Sequence, residues 1–296
     1  MVYRTASCLL TNPKEKNMLE IFQYGFMRNA LAAGVLVSIA CGIIGTYVVI
    51  NRIVFLSGGI AHAAYGGIGL GYYLGINPVI GAIIFSIASS LGMGMVHRKT
   101  GQRSDTIIGV MWAIGMAIGI IFLDMSPGYK ADLMTYLFGS ILAVPASDLL
   151  IMLVLNVIII ALVALFYRQL QAISFDETFA FVVNVPVDRL YLMLVCLIGL
   201  TVVMTMRIVG LIMVIALMTM PPAIAGLFVK DMKRMMALSV LLSVLFSFTG
   251  LMLSYYLNLT SGATIILVAG VAYLISFLIQ KSRQKRKAEA NLQSAN

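Results

Sequence analysis

The sequence predicts an all-α integral membrane protein, a polytopic helical bundle of about 8–9 transmembrane helices. Three observations predict it. The first is composition: of 296 residues, 61% are hydrophobic and 10% are charged, where a soluble domain carries about 25% charged residues. With a mean hydropathy of +1.02, such a chain cannot cover itself with polar groups in water. The second is that the apolar runs are long and continuous rather than alternating every second residue. In lipid every backbone N–H and C=O needs an internal partner, so a barrel is excluded and helices remain. The third is that the basic residues fall in short clusters between those runs. That is the pattern of cytoplasmic membrane loops and not of a nucleic-acid surface, despite a formal charge of +9.

Taken in order, the predicted spans lie near 30–50, 53–74, 78–96, 107–123, 149–167, 190–206, 208–228, 236–257 and 263–280. Residues 1–29 read as an N-terminal tail, 30–280 as the transmembrane domain and 281–296 as a basic tail. The first span is expected to be retained, since no small-residue cleavage site follows it. MLEIFQYGFM (18–27) before it is either an interfacial helix or an extension of the span. Basic residues Arg98, Lys99 and Arg103, then Lys230, Lys233 and Arg234, then Lys281, Arg283, Lys285, Arg286 and Lys287 contrast with the uncharged connections 75–77 and 258–262. The positive-inside rule then places 97–105, 168–189, 230–235 and the C-terminus in the cytoplasm. Nine crossings would leave Arg4, Lys14, Lys16 and Arg28 outside, and an even count would bring them in; 133–145 is a candidate short or re-entrant helix.

An ionisable residue inside an apolar run is a functional candidate. His62 lies mid-span among Ser57, Gly58, Gly59, Gly66 and Gly67, and helical spacing stacks Gly58, His62 and Gly66 on one face with Tyr65 beside them. Imidazole suits a transition metal or a proton; a buried structural histidine is the alternative. His97, among basic residues, reads as a solvated loop histidine. Pro221–Pro222 should break or kink its span, either to line a pathway or for packing alone. The cysteines Cys8, Cys41 and Cys196 share no close spacing and read as packing residues.

The stretch 174–190 differs in kind. Asp176 and Glu177 suit a helix start, Phe179, Ala180 and Val183 give it apolar character, and Pro186 is expected to end it. It reads as a docking element for another protein or as a helix lying on lipid headgroups. The chain has no phosphate-binding glycine loop, no paired-carboxylate site and no nucleophile elbow, so neither ATP hydrolysis nor membrane-embedded catalysis is expected of it. An ion-coupled secondary transporter acting without an ATPase is the alternative transporter class, but it usually carries intramembrane carboxylates, and here the eleven acidic residues fall outside the centres of the runs.

On these residues the chain resembles the permease family of zinc, manganese and iron uptake ABC transporters, from about Phe26 to Gln280. NRIVFLSGGIAHAAYGG (51–67) is similar to the family's Gly-Asp-Ala-x-Ser-His-Ala stretch, SDTIIG (104–109) to its Asp-Thr-x-Ile-Gly loop, and YLFGSILAVPASD (136–148) to its Tyr-Leu-Phe-Gly segment. FDETFAFVVNVPVDRL (175–190) resembles its Phe-Asp-x-x-x-Ala element, while 209–225 and 261–270 resemble further family segments. The resemblance implies a homodimer of permeases in a prokaryotic plasma membrane, cytoplasmic ABC ATPase subunits docked on 175–190, and an extracytoplasmic metal-binding protein. It implies no permanently bound cofactor; a divalent metal ion, zinc or manganese, is the cargo. His62 takes the family's pathway histidine position. The family's Asp, four residues earlier, is replaced by Gly58, so Ser57, Tyr65 or water would complete the metal's shell. A shell of nitrogen ligands without carboxylate shifts preference from manganese toward zinc.

Overall fold

The computed structural model describes residues 24–100, 104–126, 139, 141–211 and 214–294. Among these the architecture is helical throughout: α1 (Gly25–Ile50), α2 (Val54–Tyr73), α3 (Pro78–Thr100), α4 (Ser104–Met125), a 3-10 turn (Ile141–Ala143), α5 (Ala146–Leu165), α6 (Tyr167–Phe175), α7 (Glu177–Val182), α8 (Val187–Val209), α9 (Val214–Phe228), α10 (Met232–Leu257) and α11 (Ser261–Ser294). Each of the nine predicted spans has its own helix among the described residues, although 208–228 begins before the break between α8 and α9. Seven of the described helices, α1, α3, α4, α5, α8, α10 and α11, are long and apolar enough to cross a membrane. α2 has the length but is diluted by glycine. α9 has 15 residues, about 22 Å of helix, short of the roughly 30 Å hydrocarbon layer.

α1 and α8 run through the middle of the bundle, burying Val37, Cys41, Ile44 and Tyr47 from one and Leu194, Ile198 and Val202 from the other. Cys41 bonds Thr205 across that seam at 3.3 Å. The outer helices turn large apolar side chains outward: Ile114 and Ile121 on α4, Leu150 and Val157 on α5, Leu267 and Leu274 on α11. In water such a surface would aggregate; in lipid it is the solvated one.

The chain's turns gather at two ends. Arg52, Arg98, Lys99, Arg168, Arg189, Lys230, Lys233 and Arg234 mark one, where Asn51 at the end of α1 donates to Ser174 of α6 at 3.0 Å and Lys233 lies 5.0 Å over the Tyr167 ring. The uncharged connections after α2 and α10 mark the other.

Several expectations change. α1 starts at Gly25, so the described part of 18–27 continues into the first span, while 18–23 and most of 133–145 lie outside the described residues. α11 continues through the basic segment after 280 to Ser294. Pro221 and Pro222 do not end their helix: α9 passes through both to Phe228. Pro222 cannot bond the Met218 carbonyl, but Gly45 of α1 packs so tightly there that a Cβ would collide with the same oxygen. A neighbouring backbone shielding the freed carbonyl from lipid is how a membrane helix tolerates proline. The real interruption lies upstream, at Gly210, whose φ of +87° ends α8. Gly139 (φ +70°) packs its backbone directly on that break.

Candidate functional site

His62 sits in the middle of α2, half-buried, and its surroundings come from α4. The Trp112 indole stacks on the imidazole at 4.0 Å and 16°, and Met116, one turn on, brings its sulfur to 3.3 Å from His62 Nδ1. Trp112 Nε1–H donates to that same sulfur, also at 3.3 Å. A thioether has no proton to give, so the Nδ1 contact makes Nδ1 the donor and leaves the Nε2 lone pair free for a metal or a proton. The sulfur and the indole thus fix the ring's tautomer and plane.

Of the expected shell positions, Ser57 and Gly58 are engaged elsewhere. Ser57 is buried and spends its hydroxyl on the Val54 carbonyl of its own helix, at 2.7 Å. Gly58 faces α9, where a Cβ would come within 2.6 Å of Ile215 Cδ1, so a side-chain tip fills the space of the absent carboxylate. Tyr65 is buried, with its backbone carbonyl against Gly119 of α4. Gly66 packs on Gly115 and Phe85, so the small residues serve close helix packing and not an open groove. Sequence reading missed Trp112 and Met116. They lie some fifty residues from His62, and only the α2–α4 packing joins them. Among the described residues no cluster of three or more His, Cys, Asp or Glu side chains is placed to hold a metal.

Why α2 holds its place is clear from its glycines. A Cβ on Gly67 would strike the Gly81 carbonyl of α3, one on Gly81 would strike the Gly67 carbonyl, and one on Gly69 would strike Gly119 of α4. Three backbones are in contact, so α2 itself is positioned by main chain, and the ring it carries is then oriented by Trp112 and Met116.

The second candidate region lies at the basic end. Asp176 caps α7, accepting from Phe179 N–H at 2.9 Å, as its position before an apolar helix predicts. α7 has six residues. It ends at Asn184, whose φ is +59°, with Val185 N–H donating to Ala180 O and Asn184 N–H to Phe181 O. Pro186 therefore does not terminate α7; it is the residue before α8, where a missing N–H costs nothing. Ala180 is fully buried and anchors α7, while Phe179 and Phe181 are 59% and 74% exposed, and Phe175, Val182 and Val183 also face outward.

His97 is not a loop histidine. It ends α3, half-buried, and is hydrogen-bonded to the Tyr191 hydroxyl of α8 at 2.8 Å. Arg98 beside it forms ion pairs with Glu177 of α7 and Asp188 of α8, its Nε donating to Asp188 at 2.8 Å, and lies 5.4 Å over the Tyr191 ring. A cavity of about 780 Å³ opens between Arg98, Phe181, Pro186 and Arg189.

This chain has relatives along most of its length. An uncharacterized membrane protein of Synechocystis sp. is 58% identical over 264 residues, 89% of this chain and 94% of the relative. The manganese transport system membrane protein MntC of Listeria monocytogenes is 35% identical over 258 residues, 87% of this chain and 92% of the relative. Among solved structures, PsaBC from Streptococcus pneumoniae in complex with Fab superposes with a TM-score of 0.79 at 32% identity, covering 87% of this chain and 92% of the matched one. The model of the ABC 3 transport family matches residues 23–280, from before α1 nearly to the end of the apolar part of α11, and the chain belongs to that family.

Proposed function

We propose that the chain is the membrane-spanning permease of an ATP-driven importer of divalent transition-metal ions, working as a homodimer. Hydrolysis belongs to a separate cytoplasmic ATPase, and an extracytoplasmic metal-binding protein delivers the ion. The observation that carries this reading is the near full-length match to relatives named for manganese and metal transport. The chain itself supplies no nucleotide-binding motif, which fits a division of labour with a partner.

In this reading the basic end faces the cytoplasm, by the positive-inside rule, and the C-terminus lies there too. α7 docks on the ATPase: Ala180 fixes the helix to its own protein, and Phe179, Phe181 and Val183 are left for the partner. His62 is the pathway ligand. Its free Nε2 offers one nitrogen per protomer, two across the dimer. With Gly58 in place of a carboxylate and a thioether against the ring, the donors favour zinc over manganese, which prefers oxygen. A shell of so few ligands binds weakly, as a transport site should, because an ion held tightly does not leave.

Elemental analysis of cells with and without the chain tests the reading: zinc or manganese content should fall without it. Purification from native membranes should also bring down an ATPase. Unchanged metal content together with a solitary chain would refute it.

A further inference from the structure

Chain continuity already joins α7 to α6 and α8. It does not join α7 to α3, which is remote in sequence and packs directly on the helix that carries His62. A side chain of α3 makes that link. Arg98, in the last turn of α3, reaches Glu177 at the first position of α7 and Asp188 in the first turn of α8. Two elements on either side of the 183–186 connection are thus tied to one guanidinium.

The arrangement is more than two surface ion pairs. The Arg98 side chain is 26% exposed, against 55% and 77% for its partners, so the cation sits under the acids and against the Tyr191 ring. His97 pins the same tyrosine from the preceding position. Ion pairs this wet contribute little to stability. What they supply is direction: a planar fork addresses two carboxylates along fixed directions, where a lysine would offer a point charge on a flexible stem. α3 in turn packs along α2, through Met93 against Gly59 nearer Arg98 and backbone against backbone at Gly81 and Gly67 toward its other end, where a Cβ on either glycine would collide with the other.

We propose that Arg98 is a positioning residue for coupling: its fork on Glu177 and Asp188 makes α3, and through it α2 and His62, move with the docking helix α7. The inference rests on the reading of α7 as the ATPase-docking element. It predicts two separable functions at the basic end, docking through the exposed phenylalanines and transmission through the fork.

The test uses the whole complex of permease and ATPase in proteoliposomes, loaded with radiolabelled zinc or manganese, and reads metal ions moved per ATP hydrolysed. The Glu177→Gln/Asp188→Asn double variant removes both arms at exposed positions without touching the bundle. It should keep the ATPase bound and hydrolysing while metal moved per ATP falls about fivefold or more. Arg98→Gln should match it, and Arg98→Lys should recover only part. An unchanged ratio in the double variant overturns the proposal. Loss of ATPase binding in that variant overturns it too, because the acids would then be docking contacts. Full recovery by lysine would show that charge alone suffices and dispose of the fork. Failure of the underlying reading would look different, for no ATPase would bind the unaltered chain.

Discussion

The bundle around His62 and the α6–α7 corner at the basic end solve opposite problems. Around His62, α2, α3 and α4 meet through Gly67, Gly69, Gly81, Gly115 and Gly119, and backbone touches backbone. Lipid offers no hydrophobic drive for helices to associate, so close van der Waals packing of small residues must hold them. At α7 only Ala180 is buried, and aromatic side chains stand exposed on a helix of less than two turns. A helix that short is not stable alone. It persists because Asp176 caps it and Ala180 roots it. The first region fixes a geometry; the second keeps a surface open for something else. On the proposed function, position-critical chemistry falls in the first and docking in the second.

The largest effect should come from breaking the glycine contact. Gly69→Val would drive a branched side chain into the Gly119 backbone, and a cost of about 3 kcal/mol should appear as lost folded protein in detergent thermal-stability assays. His62→Ala should abolish metal uptake with expression and thermal stability near normal, since the ring is only half-buried. Unchanged uptake at equal expression would remove His62 from the pathway. Met116→Leu keeps the volume but removes the sulfur that orients the ring, and uptake affinity should fall roughly tenfold in transport assays with the fold intact. Smallest is Asp176→Ala, where loss of the cap should destabilise α7 by about 1 kcal/mol. Hydrogen exchange of the α7 amides should rise while the bundle is unchanged.

Hydropathy made most of this fold legible, because span length and apolar run length are set by the same bilayer. It placed the interruption after α8 a few residues early, at Arg207, the residue left between the spans predicted at 190–206 and 208–228, since a charge is easier to read than the φ of Gly210 that ends the helix. The proline pair does not end its helix for a related reason. The rule that proline breaks helices omits the neighbour, and Gly45 lies on α1, far from Met218 in sequence. At the site, His62 was visible as a polar residue in an apolar run. Trp112 and Met116 were not, because in a sequence this rich in apolar residues one more tryptophan or methionine carries no signal until α4 is laid against α2. Asp176 was readable as a cap because the interaction spans three residues, whereas the Arg98 fork joins positions about 80 and 90 apart.

The central claim is that this chain is a pathway without an engine. Purified chain should be reconstituted in liposomes with and without the proposed partner ATPase, and uptake of radiolabelled zinc and manganese followed with and without ATP and with and without an imposed proton or sodium gradient. The account predicts uptake only when both the ATPase and ATP are present. Gradient-driven uptake by the chain alone would contradict it and would make this protein an ion-coupled transporter.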